Sequence, residues 1–159
     1  MPPFTKTIIG YMDDEHRPWI RISSDGKRID YALLDTGASY SILTKHFADK
    51  CSKATYLQAS GLSFVGGMRY HFRLADVQLY LYDGTMQIQI TVRAQVVTQP
   101  PQPLSDDAPK ILPFILGSHA LLPYGGVFLE ASSTTPKLSG CHVMLSEHSS
   151  ARVEWLWPQ

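Results

Sequence analysis

Charge is scarce in this sequence, and the two signs balance. Lys and Arg total 14, Asp and Glu total 14, and charged residues make up 18% of the 159 residues. A neutral chain offers no broad basic surface to a phosphate backbone, so we expect no nucleic-acid partner. No apolar run approaches the roughly 20 residues that span a bilayer, so we expect no membrane partner. The N-terminal residues lack the long apolar core of a secretory signal, which predicts a protein that is not secreted.

Cysteine is also scarce, and metal-ligand spacings are absent. The two cysteines, Cys51 and Cys141, form no C-x-x-C spacing, and the six histidines include no H-E-x-x-H motif. Such spacings are the usual sequence marks of zinc and redox sites. We therefore expect no metal and no cofactor, and we interpret the cysteines as ordinary thiols. A disulfide between them would need an oxidising compartment.

The length limits the domain organisation. A chain of 159 residues is usually one domain and can bury a fair core. We expect a single domain over 1–159, with its core at about 19–130, a proline-rich insertion at 98–113 and a C-terminal extension at 131–159. The chain is too short to hold two copies of a domain of about 100 residues.

Apolar and polar residues alternate with period two along most of the chain, which predicts half-buried strands. These segments predict three hairpins, each around a glycine turn: 19–22 with 29–34, 57–65 with 69–74, and 77–82 with 86–92. The segment 41–50 instead favours a helix with Ile42 and Phe47 facing inward. Residues 98–113 contain five prolines and no periodicity, which predicts a surface loop or an internal linker.

One motif carries chemistry: Leu33-Leu34-Asp35-Thr36-Gly37-Ala38-Ser39. An aspartate at the end of an apolar strand is costly to bury unless it is paired or used. An ordinary turn after a strand would also produce Asp-Thr-Gly, so the flanking residues matter. Two aliphatic residues precede the aspartate, and a small residue and a hydroxyl follow the glycine.

With two further segments, this motif resembles the retropepsin-like aspartic proteases of retroviruses, LTR retrotransposons and their cellular relatives. Val65-Gly66-Gly67-Met68, about thirty residues on, is similar to the family's flap, and Phe114-Ile115-Leu116-Gly117 is similar to the segment that threads behind the catalytic loop. The resemblance covers roughly 19–130. It implies a mainly all-β fold: a retropepsin-like half-barrel with a glycine-tipped flap hairpin and one or two short helices, active as a symmetric dimer.

The resemblance implies peptide hydrolysis by an activated water, with Asp35, Thr36 and Gly37 as the catalytic residues. Two carboxylates about 3 Å apart share one proton, so one takes the proton of the water and the other polarises the scissile carbonyl. Thr36 would hold the two loops together, and Gly37 would let backbone approach closely. Because the sequence contains one Asp-Thr-Gly, each chain supplies one carboxylate and the enzyme is expected to be a homodimer.

The substrate would be an extended peptide or polyprotein held under the flap. Ala38 and Ser39 would offer hydrogen bonds to its backbone. The other expected substrate-binding residues are Val65, Gly66, Gly67, Met68, Pro113 and Ile115. The terminal segments 4–9 and 153–157 are apolar and are predicted to form interface strands.

Gly117 is followed by Ser118 and His119. Many retroviral members carry an Arg at this place, which pairs with an acidic residue just past the Asp-Thr-Gly. The position of that acidic residue is occupied by Ser39 in this sequence. Both partners of that ion pair are missing together, so no charge is left alone. Ser after Asp-Thr-Gly-Ala is frequent in retrotransposon-type members, which favours the processing of a retroelement polyprotein, in the cytoplasm or within a virus-like particle.

Two alternatives stay open from the sequence. The first is a retropepsin-fold dimerisation or peptide-binding module with weak or no proteolysis. The second is an unrelated β-rich binding domain in which the Asp-Thr-Gly-Ala-Ser run occurs by chance. The intact Asp35-Thr36-Gly37 favours an active endopeptidase over both.

Overall fold

The computed structural model describes residues 6–15, 17–35, 37–82, 87–107, 114–121, 125–130, 140–145 and 154–155. The first strands are β1 (Lys6–Ile9), β2 (Tyr11–Met12), β3 (Pro18–Ser23), β4 (Asp30–Asp35) and β5 (Ser41–Thr44), followed by helix α1 (Lys45–Lys50). Three long strands come next: β6 (Ala54–Val65), β7 (Met68–Tyr82) and β8 (Gln87–Val97). The remaining elements are β9 (Gln102–Pro103), β10 (Phe114–Gly117), α2 (Ser118–Leu121), β11 (Gly125–Glu130), β12 (Gly140–Leu145) and β13 (Glu154–Trp155). The chain is mostly strand, which confirms the all-β prediction.

Six of these strands close into a barrel. The hydrogen-bonded order is β3-β4-β10-β5-β8-β7, and β7 pairs again with β3 to complete the ring. Closure removes the exposed edges that an open sheet would present. Neither helix in the described part of the chain is long and apolar enough to cross a membrane.

The main core fills this barrel because alternate residues of each strand point inward. Ile20 and Ile22 of β3, Leu43 of β5, Leu79 of β7 and Leu116 of β10 are fully buried there. Burying one such side chain contributes about 1.5–3 kcal/mol relative to leaving it exposed. The barrel is therefore a packed core and not a ligand channel.

The three predicted hairpins are confirmed. Strand β3 pairs with β4 in the register Trp19↔Leu33, and β6 pairs with β7 up to Val65↔Met68 at the glycine tip. Strand β7 also pairs with β8 as far as Tyr82↔Gln87, and the turn at 83–86 lies outside the described residues. Local alternation and turn residues are sufficient to predict such pairings because both partners are adjacent in sequence.

The predicted helix over 41–50 is wrong in its first four residues. Ser41–Thr44 is strand β5, which pairs in parallel with β8 and contacts β10 through Ile42↔Ile115. These partners are about fifty and seventy residues away in the sequence, so the local pattern could not reveal them. The helix begins at Lys45, where Thr44 caps it by accepting a hydrogen bond from the Phe47 amide at 3.1 Å.

Substituting Thr44 tests this cap. We expect Thr44→Ala to lower the free energy of unfolding by about 1 kcal/mol, because the Phe47 amide loses its acceptor at the helix N-terminus. Thr44→Ser retains a hydroxyl at the same position and is expected to stay close to the wild type. Chemical denaturation of the three proteins measures the difference, and equal losses in both variants would contradict the capping role.

The proline-rich segment, which the sequence predicts to be a loop or linker, contains a short strand. Its first part forms the short strand β9, which pairs with β7 through Met68↔Pro103 and Arg69↔Gln102. Proline is compatible with this position because β9 is an edge strand, where a missing amide donor breaks no central ladder. The last part of the segment, 108–113, lies outside the described residues.

The strands near the two ends of the sequence form a separate four-stranded sheet. Its order is β1-β12-β11-β13, with β1 antiparallel to β12 and β13 parallel to β11. Strand β1 is thus brought beside residues that lie more than one hundred positions later in the chain. The two outer strands of this sheet, β1 and β13, belong to the segments predicted to form an interface.

Candidate active site

Asp35 is the last residue of β4, and its position is set by β10. The two strands run parallel, and their register places Gly117 directly beside Asp35. Asp35 is partly exposed, although Leu34 before it is buried in the barrel. Strand β4 therefore runs out of the apolar core and ends at the barrel surface, where solvent and a ligand can reach the Asp35 carboxylate.

Local hydrogen bonds hold the loop after Asp35. The Gly37 amide donates to Asp35 Oδ1 at 3.0 Å, and the Ala38 amide donates to the Asp35 carbonyl at 3.1 Å. The first bond fixes the orientation of the carboxylate, and the second closes the turn. Thr36, the remaining predicted catalytic residue, lies outside the described residues.

The end of β10 passes tightly behind this loop. The Ser118 amide donates to the Ala38 carbonyl at 2.7 Å, and the Gly117 amide donates to the buried Ser41 hydroxyl at 3.1 Å. A Cβ atom on Gly117 would lie 2.6 Å from the carbonyl oxygens of both Ala38 and Tyr40. Glycine is therefore required at 117, because only a bare Cα permits this approach.

The β6–β7 hairpin has a two-glycine tip with left-handed backbone. Gly66 has φ +54° and Gly67 has φ +77°, between the paired residues Val65 and Met68. L-residues with side chains adopt such angles at a cost, whereas glycine does not. The predicted two-glycine hairpin turn is thus present, and its role as a flap stays a prediction.

A second apolar cluster lies between this hairpin and the outer face of the barrel. Its buried members are Ile42, Met68, Tyr70, Val97 and Ile115. Leu33, Ala38, Val65 and Phe72 pack against them. The barrel members alternate with residues of the main core, so they point outward and meet the hairpin. The hairpin is consequently held down on the barrel beside the Asp35 loop.

A cavity of about 210 Å³ opens at Asp35 beneath the hairpin. Its lining residues come from the Asp35 loop, β5, the two hairpin strands, β8 and β10: Asp35, Ala38, Ser39, Tyr40, Ile42, Ser63, Phe64, Val65, Tyr70, Gln95 and Ile115. A space of this size suits a single side chain better than a large ligand. The geometry thus combines a carboxylate with a side-chain-sized cavity.

The predicted site residues fall into three groups. Asp35, Ala38, Ser39, Val65 and Ile115 line the cavity together, with Gly37 in the adjoining loop. Gly66 and Gly67 form the hairpin tip and do not line the cavity, and Met68 is 1% exposed and packs in the second cluster. Thr36 and Pro113 lie outside the described residues.

Several cavity residues were not predicted from the sequence, above all Tyr70 and Gln95. Tyr70 reads as an ordinary strand residue beside the flap, and Gln95 reads as the polar member of an alternating strand. One signal was available for Gln95: it is flanked by Ala94 and Val96 in a strand whose end is otherwise apolar. Its place in the cavity depends on the pairing of β8 with β5, which brings Gln95 beside Ile42.

Strand β9 and its neighbours extend the hairpin by a third strand. The Leu104 amide donates to the Gly67 carbonyl at 2.8 Å, and the Thr98 amide donates to the His71 carbonyl at 3.0 Å. The Arg69 guanidinium also donates to the Gln102 carboxamide oxygen. The proline-rich segment therefore binds the outer edge of the hairpin near its tip.

Removing the Leu104 amide tests this attachment. Leu104→Pro removes the donor to Gly67, and we expect the amides of residues 66–69 to exchange with solvent faster, by roughly fivefold for a loss of about 1 kcal/mol. Leu104→Ala retains the amide, and the Leu104 side chain is 59% exposed, so this variant should exchange like the wild type. Hydrogen-exchange mass spectrometry measures both. Unchanged exchange in Leu104→Pro would show that β9 does not restrain the tip.

Comparison with known proteins gives structural neighbours only. No protein-family model and no curated protein matches the chain. Among solved structures, the EIAV protease complexed with the inhibitor HBY-793 is 23% identical, with a TM-score of 0.38, over 66% of this chain and 85% of that one. A retropepsin-like aspartic protease from Rickettsia conorii is 16% identical, with a TM-score of 0.46, over 87% of this chain and 88% of that one.

Both neighbours are proteases of the class that the Asp35 motif resembles. The low identities and TM-scores carry no argument about activity. The functional proposal below therefore depends on the Asp35 loop, the hairpin and the cavity of this chain.

Proposed function

We propose that this protein is a retropepsin-like aspartic endopeptidase. The observation that carries the proposal is the position of Asp35. Its carboxylate lies at a cavity beneath a glycine-tipped hairpin, and Gly117 packs closely against the loop that follows it. A carboxylate that activates water needs a fixed orientation and access to the substrate. The Gly37 hydrogen bond supplies the first and the partial exposure of Asp35 supplies the second.

The reaction requires a second carboxylate, which a second copy of this chain would provide. The full sequence contains one Asp-Thr-Gly, so the proposed enzyme is a homodimer with one Asp35 from each subunit on its two-fold axis. One carboxylate takes a proton from the attacking water while its protonated partner polarises the scissile carbonyl. No covalent intermediate with the protein is needed.

The four-stranded sheet β1-β12-β11-β13 offers a surface for forming the proposed homodimer. Strands β1 and β13 are its outer strands, so among the described residues each has one edge without a partner strand in this sheet. Unpaired edges accept strands of a second chain. We therefore retain the proposal that the segments 4–9 and 153–157 contribute to the dimer interface.

The proposed substrate is an extended peptide or polyprotein segment, bound between the hairpin and the Asp35 loop. An extended chain pairs through its main-chain groups and places alternate side chains in pockets. The natural substrate we propose is a retroelement polyprotein, processed in the cytoplasm or within a virus-like particle. Ser39, which follows Ala38 in the loop, favours the retrotransposon type of this class.

Digestion of a degenerate peptide library tests the proposed function. We expect internal peptide bonds to be cut, and we expect pepstatin to inhibit the cutting while metal chelators and reagents against serine or cysteine nucleophiles do not. Cutting that is indifferent to pepstatin and blocked by one of the other reagents would refute the aspartic mechanism. Peptides that bind without being cut would instead favour a binding module of the same fold.

A further inference from the structure

A hydrogen-bonded pair of polar side chains, Tyr70 and Gln95, lies in the wall of the Asp35 cavity. The Tyr70 hydroxyl donates a hydrogen bond to Gln95 Oε1 over 2.7 Å, and both side chains line the cavity. Tyr70 is 2% exposed, and this burial raises the pKa of its hydroxyl, although a hydrogen bond with Ser63 acts in the opposite direction. The hydroxyl is therefore protonated at neutral pH and keeps its hydrogen for Gln95.

The bond from Tyr70 determines what Gln95 can offer a ligand. A carboxamide has one oxygen that accepts and one NH₂ group that donates two hydrogen bonds. Because the oxygen already accepts from Tyr70, the NH₂ group is the part of Gln95 that remains to bind a ligand. Gln95 is partly exposed while Ala94 and Val96 beside it are buried, and Gln95 lines the cavity, so a ligand in the cavity can reach its side chain.

The charge of the cavity limits which chemical groups of a ligand can bind the Gln95 NH₂ group. Asp35 is the only charged side chain among the described residues that line it. A carboxylate ligand would be repelled by Asp35, and an ammonium or guanidinium group has no acceptor to offer the Gln95 donor. A neutral oxygen acceptor satisfies the donor without either penalty, and a carbonyl oxygen does so without bringing a hydroxyl hydrogen that needs an acceptor of its own. The side chains that carry one are those of asparagine and glutamine.

We propose that this cavity selects an Asn or Gln side chain of the substrate through Gln95, which Tyr70 positions. The inference rests on the proposed endopeptidase function and names the substrate feature that its site recognises. A site built around a hydrogen bond rejects an isostere that lacks the group, because the enclosed donor then loses its partner. Leu and Met, similar in size to Asn and Gln, are the relevant competitors.

The test is to profile cleavage products of a degenerate peptide library by mass spectrometry, position by position around the cut. For the wild type we expect Asn and Gln to be enriched at one position by about tenfold over Leu and Met. In Gln95→Leu that preference should reverse toward Leu and Met at the same position. In Tyr70→Phe, Gln95 loses its fixed orientation, and the preference should weaken without reversing.

Gln89→Leu is the matched control, because Gln89 lies on the same strand and contacts a tyrosine hydroxyl, that of Tyr80, at 3.4 Å but does not line the cavity. It should leave the profile unchanged. A wild type that cuts but prefers aliphatic residues at every position, or a profile that Gln95→Leu and Tyr70→Phe both leave unaltered, would overturn the inference while the endopeptidase proposal stands. A wild type that cuts nothing would refute the proposed function, and the inference with it.

Discussion

Replacing Asp35 with Asn is expected to lower the rate of peptide cleavage by about 10²–10⁴-fold. An amide neither takes the proton of the attacking water nor donates one to the scissile carbonyl as a carboxyl group does. In a homodimer the substitution removes both carboxylates at once. The fold should survive, since Asn retains the oxygen that accepts from the Gly37 amide and Asp35 is partly exposed.

Initial rates on one cleaved peptide, together with thermal unfolding, measure this effect. Asp106→Asn is the matched control, because it makes the same chemical change at an exposed residue of the proline-rich segment that does not line the cavity. It should cleave at the wild-type rate. Cleavage by Asp35→Asn at a rate near that of the wild type would exclude Asp35 from the chemistry.

The second large effect is expected from Gly117→Ala. The added Cβ would lie 2.6 Å from two carbonyl oxygens and 2.8 Å from the Tyr40 carbonyl carbon, and all three atoms belong to backbone that cannot rotate away. Overpacking of this kind costs about 3 kcal/mol. For a protein of this size we expect the melting temperature to fall by roughly 10 °C. Cleavage should fall as well, because relieving the clash displaces the loop that carries Asp35.

Gly66→Ala provides the comparison for Gly117→Ala. A Cβ on Gly66 would have no atom within 4 Å, but its φ of +54° is unfavourable for alanine. This strain costs about 1–2 kcal/mol without any clash. We therefore expect Gly66→Ala to lower the melting temperature by less than Gly117→Ala. If the melting temperature of Gly117→Ala equals that of the wild type, β10 does not pass this closely behind the loop.

The parts of the fold that the sequence predicts well are those whose partners are close in the chain. The hairpins around Gly26 and Gly66-Gly67 follow from alternation and turn residues alone. The Asp35 loop is recognisable because its residue types follow the same order as in the catalytic loop of the family that it resembles. By contrast, Ser41–Thr44 reads as the start of a helix, and only its pairing with β8 and β10 makes it a strand.

The rest of the site depends on contacts between distant segments. Met68 reads as a pocket residue but is buried because the hairpin packs against Ile42 and Ile115 of the barrel. Gln95 reads as an outward-facing strand residue but meets Tyr70 across twenty-five positions of sequence. Such neighbours are fixed by strand register over the whole barrel, which local alternation does not determine.

The most direct test of a site shared by two chains is the activity of a mixed dimer. Wild-type and Asp35→Asn chains with different tags are coexpressed, and the species that carries both tags is isolated and assayed on the cleaved peptide. We predict that this mixed dimer forms and is at least about 10²-fold less active than the wild-type dimer, because one carboxylate cannot fill both roles. A mixed dimer with half of the wild-type activity, or a wild type that is fully active as a monomer, would contradict the account.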